Sequence, residues 1–264
     1  MRLATENEQG QSTRSESEAS DRKCLCWTGG IAALVLIVYS LSTMVQLIVL
    51  GGPPTTAAEA FRLLQTDRIV GLLRLDLPTI IAMPLYYFVF LGLFAALKRT
   101  DWANAIISTS LAFVGVTLLL ATPTALSMIS LSQKYAAATT EATRTQFLAA
   151  GEAILANDIW HGTGAIMGGI LVQSGAVLIS VVMLRSSVFS RTTAYLGILM
   201  HGLDLARIVL GLFVPAFGVV LMAMAGPLYP FWFFLVGRRL LKLAAKGSDC
   251  GRGTASGLFL SWDP

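Results

Sequence analysis

The chain is poor in charge. Asp, Glu, Lys and Arg make up 13% of its 264 residues, about half the share of a soluble domain. Histidine occurs only twice, at His161 and His201, and cysteine three times, at Cys24, Cys26 and Cys250. No CxxC pair and no His/Cys ligand spacing is present, so the common zinc and redox motifs are excluded. HExxH, GxSxG and paired catalytic carboxylates are also missing. The sequence therefore offers no catalytic residues, no metal site and no cofactor motif. Strict apolar/polar alternation is lacking too. Ile31 to Val38 is an unbroken apolar run, which excludes a barrel strand there.

What the chain does have is apolar length. Hydrophobic residues make up 55% of it, and mean hydropathy is +0.70. The apolar residues fall in blocks of about 20, the length of a bilayer span. Lipid gives the backbone no hydrogen-bond partners, so such blocks are helices. The fold class read from this is all-α: a polytopic transmembrane bundle of six spans, at 27–50, 77–97, 103–122, 160–184, 193–214 and 217–237. Trp27, Trp102, Trp160 and Trp232 fall near span borders, where indole rings prefer the headgroup level.

Residues 1–23 are polar and are expected to form a disordered tail. The first apolar block is too long for a cleaved leader and reads as an anchor. Residues 24–243 form the transmembrane domain, and 244–264 a short second tail. Two long connections carry amphipathic helices. The first opens on Thr56-Ala57-Ala58-Glu59, a capping box. Phe61, Leu64, Ile69 and Leu72 then alternate with charges, which predicts a helix on the membrane surface. Asp76 is expected to cap span two, with Pro78 in its first turn. In the second connection Pro123 is expected to bend or end span three, and Glu141 to Asn157 to be partly amphipathic.

Lys and Arg give the orientation. With the N-terminus inside, thirteen fall on inner segments and five on outer ones, a bias that places both termini in the cytoplasm and both long loops outside. The net charge of +4 is thus a topology signal, and no nucleic-acid partner is implied.

Three stretches resemble a bacterial six-span family, domain-of-unknown-function family 4386. They are Leu72-Leu73-Arg74-Leu75-Asp76-Leu77 leading to Leu85-Tyr86-Tyr87 and Lys98-Arg99; Ser187 to Ile198; and Trp232-Phe233-Phe234-Leu235-Val236-Gly237-Arg238-Arg239-Leu240. The resemblance covers most of 27–243. Ser190 stands where that family often has a proline. The resemblance implies a six-span bundle in a bacterial plasma membrane and carries no activity with it.

Ionisable residues inside a span are costly, about 2.5–3.5 kcal/mol each, and call for a reason. Span five holds His201, Asp204 and Arg207, spaced to share one helical stripe. Asp204 and Arg207 can pair along the helix. Asp204 lies roughly 16 Å along the span, near the bilayer centre. Counting back through the short turn puts Gln173 of span four level with it. Two readings stand for this group. One is a binding site for a small polar ligand, an ion or a proton. The other is a self-neutralised structural pair. The two histidines lie at different depths, which disfavours one shared metal. In span four, Gly164, Gly168 and Gly175 permit close helix approach. That face suits packing within the chain or, as a second use, a homo-oligomer.

Two functions follow from different classes. One is a small-molecule or ion permease with its polar site around span five, helped by prolines 84, 123, 227 and 230 that break helices around a cavity. The alternative is a non-catalytic scaffold or sensor acting through the outer-loop helices.

Overall fold

The computed structural model describes residues 2–122, 124–159 and 161–245. Among these there are helices and no strands. The chain starts with α1 (Arg2–Val49), the first span. Two short helices follow, α2 (Ala57–Thr66) and α3 (Arg68–Arg74). Spans two and three are α4 (Leu77–Leu97) and α5 (Trp102–Leu120). Next come α6 (Ala125–Ala137) and α7 (Glu141–Leu155). Spans four and five are α8 (Thr163–Leu184) and α9 (Arg191–Gly211), and α10 (Pro215–Ala225) and α11 (Leu228–Ala245) complete the set. Six segments are long and apolar enough to cross a membrane, with α10 and α11 together making the sixth. The chain is an all-α, multi-pass membrane bundle.

The helices depart from the sequence expectation in some places and follow it in others. The stretch expected to be a disordered tail is helical from Arg2 onward and continuous with span one. Its Ala, Glu, Gln and Arg residues are good helix formers, and an already formed span removes the cost of nucleating the helix. Span six is interrupted after Ala225. Gly226 and Pro227 occupy the break, and Pro227 has no N–H with which to continue the ladder. The remaining prolines behave differently from one another. Pro84 sits inside an unbroken α4, and Pro230 lies in the first turn of α11, where no donor is needed. Expectations on Pro123, Trp160, Cys250 and the segment beyond Ala245 fall outside the described residues.

The helices approach each other through glycine. A Cβ added to Gly115 would stand 2.5 Å from the Gly168 carbonyl oxygen, and one on Gly175 would stand 2.6 Å from that of Ser108. Span four therefore lies with its small residues directly on α5. A Cβ added to Gly164 would stand 3.2 Å from the Thr122 methyl group. Packing against α5 within the chain occupies this face. Similar seams join α1 to α4 at Gly29 and Gly92, and α1 to α11 at Gly30 and Gly237.

The connecting helices assemble on one another. Ala57, Ala60, Phe61 and Leu64 are buried with Met128 of α6 and Leu155 of α7. The apolar face expected to lie on lipid is instead covered by protein, and Ile69 is left 71% exposed. Glu152 of α7 accepts the Ala57 N–H at 2.8 Å and so caps α2 from outside. Thr56 accepts the Glu59 N–H, half of the expected capping box. The Glu59 carboxylate accepts the Thr55 N–H at 3.0 Å and pairs with Arg74 at 2.8 Å. The Thr55 bond, reinforced by Arg74, holds the Glu59 carboxyl below its ordinary range against a smaller desolvation effect.

Asp76 also acts differently from expectation. It precedes α4 but makes no side-chain cap to it. Its buried carboxylate accepts the backbone N–H of Thr124, the Thr124 hydroxyl at 2.9 Å and the Ala125 N–H at 3.0 Å. It thus caps α6 and ties spans two and three to the connecting helices. At the opposite end Ser190 caps α9 by accepting the Thr193 N–H at 3.1 Å.

Candidate functional site

The α8–α9 hairpin is short, so the two spans run antiparallel and side by side. Gln173 lies ten residues into α8, about 15 Å from its start at 1.5 Å per residue. At that level it meets span five. Its amide Nε2 donates to Asp204 Oδ2 at 2.7 Å and to the Tyr229 hydroxyl at 3.0 Å. Tyr229 in turn donates to Asp204 Oδ2 at 2.9 Å. Arg207 Nε donates to Asp204 Oδ1 one turn along α9. Three side chains therefore fix the carboxylate through both oxygens.

The orientation of Gln173 sets the state of His201. An ionised carboxylate only accepts, so the amide nitrogen must face Asp204 and the amide oxygen must face the imidazole. His201 Nδ1 stands 2.6 Å from that oxygen and is the donor. Its ring is buried edge-to-face on Trp232, with centroids 4.8 Å apart. His201 Nε2 and Trp232 Nε1 are both buried without a hydrogen-bond partner among the described residues.

A cavity of about 620 Å³ lies in front of this network, lined by residues of α1, α4, α5, α8, α9 and α10. His161 stands at its mouth, and Gln173 and Arg207 form its floor. Asp204 and His201 stand behind them and are not part of the lining. On the wall, the Tyr39 and Thr79 hydroxyls satisfy each other at 3.0 Å. Most of the remaining surface is aliphatic or methionine. His161 is occupied at the cap of α8, where Asp158 binds both its backbone N–H and its ring, at 2.8 and 2.9 Å. Among the described residues no three ligands gather into a metal site.

All four residues singled out from the sequence, Gln173, His201, Asp204 and Arg207, thus belong to one connected group. Sequence reasoning missed Tyr229 and misplaced Trp232. The position of Trp232 near a span end predicts an interfacial ring, yet it is 1% exposed and packs on His201. The available signal was the Gly226-Pro227 break, after which a new helix starts at Leu228, one residue before Tyr229, and carries both aromatics inward.

The fold and this group define an α-helical membrane bundle with a buried polar network at the floor of a cavity. No protein-family model, no curated protein and no solved structure matches the chain.

Proposed function

We propose that the protein is a permease-like bundle that passes a small polar molecule or ion through this cavity, with Gln173, Asp204, Arg207 and His201 as its binding group. In this reading it belongs with the six-span bacterial family that it resembles and sits in the plasma membrane. The surplus of Lys and Arg on the segments assigned to the inside supports an arrangement with both termini in the cytoplasm. One observation carries the functional reading. The cavity has the size of a small-molecule site, and its floor is a charged side chain within a span. The alternative, a scaffold acting through the connecting helices, is less well supported, because α2, α6 and α7 bury their apolar faces against each other.

Access from both sides tests the transport reading. In a chain freed of its native cysteines, Ile208→Cys beside the floor and Met83→Cys on the wall are treated with a water-soluble thiol reagent in sealed vesicles. Transport requires Ile208→Cys to react from either face. Reaction from one face only would reduce the cavity to a closed-ended pocket and overturn transport. The inside assignment is tested separately through Cys24, which lies in α1 and is exposed. It is expected to react with impermeant reagent only after cell lysis.

A further inference from the structure

The polar floor does not present its two charges equally. Asp204 is turned into the bundle, where both oxygens are occupied by Gln173, Tyr229 and Arg207. Arg207 uses only Nε for that pair. A guanidinium carries five N–H donors, and the four on its two Nη atoms make no hydrogen bond to the described residues. Arg207 lines the cavity and Asp204 does not. The space above the floor therefore meets a cation with unused, forked donors, and among the described residues no carboxylate lines it. The fork geometry suits two oxygens of one anionic group. Beyond it, apart from the mutually bonded Tyr39 and Thr79 hydroxyls and His161, the walls are mainly apolar, with Met83, Leu119, Ile166, Val219 and Met222.

We propose that the cavity binds an amphipathic anion. Its oxygen-bearing head sits on the Arg207 Nη groups beside Gln173, and its apolar body lies along the aliphatic wall between α5 and α10. This inference rests on the reading of the cavity as a ligand site and names the class of ligand. A free carboxylate with an alkyl tail and the headgroup of an anionic lipid share this chemistry.

The test uses the full chain in nanodiscs of zwitterionic lipid and follows thermal unfolding as each probe is titrated. The probes are decanoate, decanol, decyltrimethylammonium and acetate. Saturable stabilisation by decanoate alone is the expected result. Discs containing phosphatidylglycerol form a second arm, and stabilisation there without any response to decanoate would assign the site to a lipid headgroup. Arg207→Gln is expected to weaken decanoate about tenfold to a hundredfold, the loss of one or two charge-assisted hydrogen bonds. That variant leaves Asp204 without its counter-ion, so Met222→Trp is run beside it. Met222→Trp fills the cavity without touching the pair and is expected to abolish the decanoate response in a folded protein. Equal responses to all three ten-carbon probes, a preference for the ammonium, or decanoate binding unchanged in Met222→Trp would each overturn the proposal. Decanoate binding together with one-sided access at Ile208→Cys would remove transport and leave the ligand class standing. Access from both faces without binding by any anion would do the reverse.

Discussion

Replacing Arg207 with Leu isolates the energetics of the polar floor. The change leaves a carboxylate that is 13% exposed, and breaking a buried pair in this way costs about 3–5 kcal/mol. Two of the donors to Asp204, Gln173 and Tyr229, survive, so the loss is expected at the lower end of that range. Asp204→Leu is expected to be worse. It leaves the guanidinium without a counter-ion and strips the shared acceptor from Gln173 and Tyr229 together. The double change removes both charges. Gln173 and Tyr229 still bond each other at 3.0 Å, so the remaining deficit is that of one unsatisfied donor or two, about 1–3 kcal/mol. The double variant is therefore expected to be more stable than Asp204→Leu alone, with a coupling energy of at least about 1 kcal/mol. Unfolding in mixed micelles, followed by loss of helical signal for the four proteins of the cycle, measures it. Strictly additive single effects would show that the two side chains do not act as a pair. A stable double variant that no longer responds to decanoate would separate the structural part of the pair from the binding part.

Gly175→Val is expected to destabilise by about 3 kcal/mol or more, because its Cβ would meet Ser108 backbone at 2.6 Å. Gly202→Ala, with nothing within 4 Å of the added carbon, is expected to be neutral or slightly stabilising; thermal unfolding of both checks the span-four seam. Asp76→Ala removes a buried acceptor of three hydrogen bonds and is expected to cost about 3–5 kcal/mol, seen as early proteolysis in the connecting helices; resistance equal to the parent would contradict that role. Glu59 has its carboxyl held low by the fold, so the stabilisation it contributes is present above the ordinary glutamate value near pH 4.3 and is lost as pH falls below it. Glu59→Gln is expected to lower thermal stability by about 1 kcal/mol or less at pH 7 and to make no difference near pH 2, and an unchanged difference at both would refute the assignment.

The spans were legible because a bilayer imposes one requirement on every segment that crosses it. Apolar blocks alone located Leu77–Leu97 to the residue, and the level of Gln173 with Asp204 followed from rise per residue and a short turn. The connecting helices were harder. The apolar stripe of Ala57, Phe61 and Leu64 predicts burial but not against what. A lipid surface and a neighbouring helix satisfy it equally, and only the fold brings Met128 and Leu155 to it. Asp76 shows the same limit. Its position before Pro78 marks a helix start, while the helix it caps begins 49 residues later at Ala125. Trp232 was misplaced because a tryptophan near a span end fits the interfacial pattern, and the break at Gly226-Pro227 that turns it inward is local backbone geometry. Ser190 caps its own helix by accepting the Thr193 N–H, as a serine just before a helix commonly does.

The order of the contacts supports the proposed binding role of the polar group over that of a buried structural pair. A pair kept only for structure is commonly replaceable by apolar residues, and an Asp and Arg one turn apart need no help to neutralise each other. Here the help is extensive and directional. His201 packs on Trp232 and donates to the Gln173 oxygen, which turns the Gln173 nitrogen toward Asp204. Tyr229 adds a second donor to the same carboxylate oxygen. The other oxygen is thereby held for Arg207 Nε, and this fixes where the guanidinium points. The contacts join the fully buried His201 and Trp232 to Gln173 and Arg207 at the cavity, and Arg207 carries donors that no described residue uses. Structural neutralisation would be complete at Asp204. Extending the chain of contacts to an oriented cation at the cavity floor is what a site for an anionic group requires.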